Sequence, residues 1–139
     1  MTQIELARRG ELSVEMRAVA EVEGLEPELV LERVASGRIV IPANHNHSGL
    51  RPCGVGEGLR TKVNANIGTS ERYTSLEAEV EKLEAALAAG ADAVMDLSTA
   101  GDIDRIRRAL IARCPVPFGT VPIYQAAVDA IEKHGSIVA

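Results

Sequence analysis

The sequence predicts an α/β fold: an N-terminal helical region followed by three βα units. Three features carry that prediction. Before residue 38, cap residues and glycine stops bracket apolar stripes of helical period. From residue 61 onward, runs of strand-type residues alternate with helix-length segments. Between them, residues 42–60 are crowded with turn formers: Asn44, Asn46, Ser48, Gly49, Pro52, Gly54, Gly56 and Gly58. The chain is therefore divided into an N-terminal helical region and loop, 1–60, and a βα region, 61–139.

In order along the chain, Ser13 caps a helix that runs to about Glu23, with Val14, Ala18 and Val22 at four-residue steps and Gly24 as its stop. A second helix opens near Pro27, a residue suited to the first turn. Val30, Leu31 and Val34 form its apolar stripe and Gly37 ends it. Residues Arg38 to Ile41 read as a short strand stopped by Pro42. After the loop, Thr61 to Ile67 is the first strand of the second region. Thr74 and Glu77 stand as a capping box for a helix with Leu76, Val80, Leu83 and Leu87 on one face, closed by Gly90. Ala93 to Leu97 is the next strand. Asp102 caps a helix carrying Ile103, Ile106 and Leu110, which Pro115 and Pro117 break. Phe118 to Ile123 reads as a third strand, unusual in holding Pro122. A short helix over 125–134 ends at Gly135, and Ser136 to Ala139 starts a fourth strand.

A βαβαβα order implies parallel strands joined by right-handed crossovers. Two architectures satisfy it: a small open three-layer sheet, and the opening of a (β/α)8 barrel, which takes about 250 residues to close.

Composition excludes several functions. The 139 residues are 46% hydrophobic and carry 15 basic against 20 acidic side chains, a net charge of −5. A nucleic-acid or anionic-membrane binder shows a basic patch instead. Three aromatics, Tyr73, Phe118 and Tyr124, are too few for a base-stacking platform. Cys53 and Cys114 lie 61 positions apart, which makes neither a disulfide framework nor a CxxC motif and suits two thiols in a reducing cytosol. No apolar run approaches the ~18 residues of a membrane span, and the first residues lack the regions of a signal peptide. The expected location is cytoplasmic.

The candidate site comes from the strand ends. Asn66, Met95 and Tyr124 are each 29 positions apart, which places them at equivalent carboxyl ends of the three strands. Ligands of α/β sheets and barrels bind at that edge. An amide, a thioether and a phenol together suit a small, flat, polar molecule, with Asp96 and Ser98 as polar neighbours. The plain alternative is that Met95 is core, Asn66 a turn former and Tyr124 a helix-start residue. Weaker signals are the pair His45 and His47, which lacks a third metal ligand, and Gly54, Gly56 and Gly58, which lack the Lys-Ser/Thr of a phosphate loop and read as a flexible connection. The Asn66–Ser70 segment is a better anion candidate, because its amides precede a capped helix. Glu77, Glu79, Glu81, Lys82 and Glu84 read as a solvated helix face.

Longer strings carry a resemblance. Ile41-Pro-Ala-Asn44, Lys62-Val-Asn-Ala-Asn-Ile-Gly68, Ala93-Val-Met-Asp-Leu-Ser-Thr99 and Pro117-Phe-Gly-Thr-Val-Pro-Ile-Tyr-Gln125, in that order and with the opening Met1-Thr-Gln3, resemble the ThiC family of phosphomethylpyrimidine synthases. The resemblance covers the whole chain. It implies an N-terminal region followed by the first three βα units of an incomplete (β/α)8 barrel. It implies a radical enzyme of thiamine biosynthesis, in which a [4Fe–4S] cluster and S-adenosylmethionine convert 5-aminoimidazole ribonucleotide to 4-amino-5-hydroxymethyl-2-methylpyrimidine phosphate, with a divalent metal, zinc, as a further cofactor. The family's substrate contacts fall on Asn66, Met95 and Tyr124. Its CxxCxxxxC cluster motif and metal-binding histidines belong to later sequence, so the resemblance implies a portion that is inactive alone and that self-associates or pairs with a remainder. A non-catalytic ligand-binding module, and a paralogue making hydroxybenzimidazole from the same substrate, stay open as alternatives at this point.

Overall fold

A computed structural model describes residues 1–137. The chain forms two compact units, Met1–Lys62 and Val63–Ala139. No helix among the described residues is long and apolar enough to cross a membrane.

The first unit holds helices α1 (Gln3–Arg8), α2 (Val14–Glu23) and α3 (Pro27–Ala35), and strands β1 (Ile39–Val40) and β2 (Val55–Gly56). Helix α1 has no counterpart among the sequence-based elements. It is opened by a capping box in which Thr2 and Glu5 satisfy each other's backbone amides. Ser13 caps α2 by accepting from the Met16 amide, and Gly24 ends it in the left-handed conformation. The buried face of α2 is Met16, Val19 and Ala20, while Val14 and Val22 are exposed. The expected stripe of four-residue steps thus lies on the wrong side. Both sets fit a helical period, and the one that meets Val30, Val34, Ile39 and Ile41 is the one that forms the core.

The 42–60 segment is more than a flexible connection. Its glycine-rich part returns as β2 and pairs antiparallel with β1, Ile39 opposite Gly56 and Val40 opposite Val55. Glu23, Arg60 and Lys62 close the unit. Lys62 Nζ sits 2.7 Å from Glu23 Oε1, both side chains are more than nine-tenths buried, and the Arg60 amide donates to Glu23 Oε2 at 2.8 Å.

The second unit is a parallel sheet in the order β3 (Asn64–Ile67), β4 (Ala93–Asp96), β5 (Phe118–Thr120), with helices α4 (Leu76–Ala88), α5 (Ile103–Ile111) and α6 (Pro122–His134). Ile67, Val94 and Phe118 pack with Leu83 of α4 and with Ile106 and Leu110 of α5 in one core. Both helices therefore cover the same face of the sheet. α4 and α5 thus form one layer on the sheet, as both the open sheet and the barrel opening allow. Strand alternation turns Asn64, Asn66, Met95 and Gly119 to the other face.

Several boundaries differ from the sequence reading: β1 is Ile39–Val40 rather than Arg38–Ile41, β3 begins at Asn64 rather than Thr61, and β4 ends at Asp96 rather than Leu97. Ser75 rather than Thr74 caps α4, accepting from the Ala78 amide. Glu77 then sits one residue too early for a reciprocal box, and its carboxylate accepts from the Ser75 hydroxyl instead. β5 stops at Thr120, and Pro122 is not within a strand but at the first position of α6, where its missing N–H costs nothing. Ser136 and Ile137 form no strand, and the rest of the expected fourth strand lies outside the described residues.

Candidate functional site at the strand ends

The register decides which of the expected residues meet. Asn66 pairs with Met95, and Met95 with Gly119. The equal spacing therefore holds for the first two strands only. Tyr124 lies five residues beyond Gly119, in the first turn of α6, because the chain leaves β5 early and turns at Pro122. Its amide donates to the Val121 carbonyl, and its side chain is half-exposed beyond the strand end. Asn66 is exposed and Met95 half-buried on the face turned away from α4 and α5. Asn64 Nδ2 donates to Asn66 Oδ1 at 2.8 Å, a bond between two exposed side chains. The Met95 thioether lies across Gly119, whose missing side chain leaves room for it.

Asp96 and Ser98 do not line that face. Both are buried. Asp96 Oδ1 accepts from the Ser98 amide and hydroxyl, and its Oδ2 accepts from Arg107 Nε at 3.3 Å. Ser98 Oγ in turn accepts from the Thr69 amide at 3.1 Å. This network braces the carboxyl ends of β3 and β4.

The anion cradle expected at Asn66–Ser70 is already filled by protein. The Gly68 amide donates to Glu79 Oε2 at 2.9 Å, the Thr69 amide to Ser98, and the Ser70 amide to the Tyr73 carbonyl. Three amides committed in this way have nothing left for a phosphate. Glu79 is correspondingly not part of a solvated face. It is 1% exposed, and Lys82 donates to its other oxygen and to the Gly68 carbonyl.

Sequence reasoning missed Glu79, Arg107 and Gln125. A signal was available for two of them. Glu79 is four residues before Leu83, and Arg107 four after Ile103, so each charge stands inside an apolar stripe. A charge in that place needs a buried partner.

The described residues do not fit an iron–sulfur or zinc site. No three His, Cys, Asp or Glu among them come together to hold a metal ion. Cys114 is buried with its thiol donating to the Val116 carbonyl, and burial pushes its pKa up. Such a thiol is a poor thiolate ligand.

Fold and edge define a class: an α/β protein with a parallel sheet whose first two strands pair Asn66 with Met95 near their carboxyl ends, and whose third strand leads into a helix with Tyr124 in its first turn. The comparisons make the class specific. The model of the radical SAM ThiC family matches residues 2–139, and the chain belongs to that family. It is 60% identical over 139 residues to a phosphomethylpyrimidine synthase of a Thermoanaerobacter species, covering all of this chain and 32% of that protein. The phosphomethylpyrimidine synthase of Moorella thermoacetica is 58% identical over 138 residues, and that of Dehalococcoides mccartyi 53% over 138, each covering 99% of this chain and 32% of the relative. The chain spans about a third of the length of the curated relatives it matches.

Proposed function

We propose that this chain is the N-terminal part of a phosphomethylpyrimidine synthase, and that its sheet supplies one wall of the site for 5-aminoimidazole ribonucleotide. The reaction is the conversion of that ribonucleotide to 4-amino-5-hydroxymethyl-2-methylpyrimidine phosphate in thiamine biosynthesis. The observation that carries the reading is the pairing of Asn66 with Met95 on the face turned away from α4 and α5, with Tyr124 in the first turn of the helix after β5. Asn66 and Tyr124 hydrogen-bond the substrate, and Met95 packs against its ring. The names of the relatives favour the pyrimidine product over hydroxybenzimidazole.

The same arrangement supports the first three βα units of a (β/α)8 barrel. α4 and α5 cover one face together, and the face with Asn66 and Met95 becomes the interior. An uncovered face and open strand edges favour self-association or pairing with further sequence of the same enzyme. S-adenosylmethionine and the [4Fe–4S] cluster supply a radical in this family. Neither they nor zinc is assigned a ligand among the residues described. What this chain contributes is orientation of the ribonucleotide.

Titration calorimetry with 5-aminoimidazole ribonucleotide on the full-length enzyme tests the reading. Asn66→Ala and Tyr124→Phe each remove one hydrogen bond, worth about 0.5–1.5 kcal/mol, and lower affinity about two- to twelve-fold. Unchanged affinity in both variants overturns it.

A further inference from the structure

We propose that Arg107 is a positioning residue for the ligand edge: its guanidinium holds the end of β4, which carries Met95, and the first turn of α6, which carries Tyr124, in one fixed relation. The proposal rests on the reading of that edge given under Proposed function. Arg107 Nε donates to Asp96 Oδ2 at 3.3 Å, and Nη1 donates to Gln125 Oε1 at 2.7 Å. Asp96 directly follows Met95, and Gln125 directly follows Tyr124. The bridge therefore ends one residue from each of two substrate contacts.

Both ends are anchored. The Asp96 side chain has no exposed surface and is held from behind by Ser98. Gln125 Nε2 donates to Asp104 Oδ1 at 3.1 Å, and Arg107 Nη1 stands 3.8 Å from the same oxygen. The first turn of α5 thus belongs to the same network.

None of the residues of helix α6 is buried, and its cap residue Val121 offers no side-chain hydrogen bond, whereas Ser75 and Asp102 cap α4 and α5. Where apolar burial is slight, a charge-assisted hydrogen bond carries a large share of the placement. The residue type matches the task. A guanidinium presents several donors in a rigid fork and can face a carboxylate and an amide at once, while an ammonium is a single point charge.

The test uses the full-length enzyme with variants R107M, R107K and Q125A, and N66A as the control for the edge itself. A displacement of about 1 Å in a positioned group costs up to about 100-fold, and R107M is expected to raise KM for 5-aminoimidazole ribonucleotide about tenfold with kcat changed by less than about threefold. Q125A gives much of the same rise and adds little on top of R107M, because both break one bridge. R107K falls between wild type and R107M. Without substrate, R107M speeds amide exchange over 123–127 about tenfold and leaves β3 protected. Wild-type KM in R107M overturns the proposal, with or without a change in exchange. So does unchanged exchange at α6. If N66A binds normally, the edge itself has been misread. If N66A binds weakly while R107M binds normally, only the role of Arg107 fails. Should R107M not fold, Q125A decides on the same readouts.

Discussion

Met95 and Gly119 stand opposite each other in the β4–β5 register, and the Met95 side chain occupies the place where a side chain on residue 119 would begin. A methyl group on Gly119 would lie 2.9 Å from Met95 Cε and 3.0 Å from Sδ. The atoms in the way are the far end of a flexible side chain, and Gly119 has no left-handed backbone conformation to lose. Gly119→Ala should therefore cost under about 1 kcal/mol of stability, since methionine repacks readily. It should move the thioether and weaken ribonucleotide binding all the same. Thermal unfolding together with ligand titration reads both. A normal affinity would separate Met95 from the ligand.

Gly68 gives the opposite expectation. Its φ is +145°, and a Cβ there would stand 2.6 Å from the Ser98 amide nitrogen and 2.7 Å from the Leu97 carbonyl carbon. These are backbone atoms of the neighbouring strand end and cannot swing aside. The conformation alone costs a non-glycine residue about 1–3 kcal/mol, and the clash adds to it. Gly68→Ala should lower the urea midpoint of the second unit sharply, far more than Gly119→Ala. Equal effects would mean that this turn relaxes freely.

Cys114 should resist alkylation. The thiolate is the reactive form, and burial raises the pKa of this thiol while removing it from solvent. Iodoacetamide at pH 7.5 should modify Cys114 at least about tenfold more slowly in the folded chain than in urea, followed residue by residue with mass spectrometry. Comparable rates would show that the core around Val116 opens readily.

The caps and stops were legible because they are local: Ser13, Gly24, Asp102 and Gly135 each act within one turn of their helix. The Thr2/Glu5 box is just as local and was readable on the same rule, three residues apart. β2 was not readable. A two-residue strand has no period of its own and exists because β1 pairs with it. The strand-end row was half legible. Equal spacing located Asn66 and Met95, which share a row, but Pro122 starts a helix and carries Tyr124 off that row. A proline inside an expected strand is itself the warning. The bracing network was hidden because Asp96, Arg107 and Gln125 come from three elements and meet only once the sheet and its helices have formed.

The Glu23–Lys62 pair makes acid stability of the first unit testable. Burial works to raise the Glu23 pKa, but the Lys62 ammonium, the Arg60 amide and the charges of both residues outweigh it and hold the carboxyl below its ordinary value. A carboxylate depressed in the folded state stabilises that state above its unfolded pKa, about 4.3, and the contribution is lost as pH falls through the lower folded value. Lys62→Met removes the cation and leaves a buried carboxylate held by the Arg60 amide, a change that costs about 3 kcal/mol near neutral pH by comparison with other broken buried pairs. Without the ammonium the Glu23 pKa rises, so the variant should lose less further stability on acidification than the wild type. Urea midpoints by circular dichroism between pH 7 and pH 3 should therefore converge as pH falls. A gap that stays constant over that range would mean that Lys62 acts through packing of its methylene chain, not through its charge.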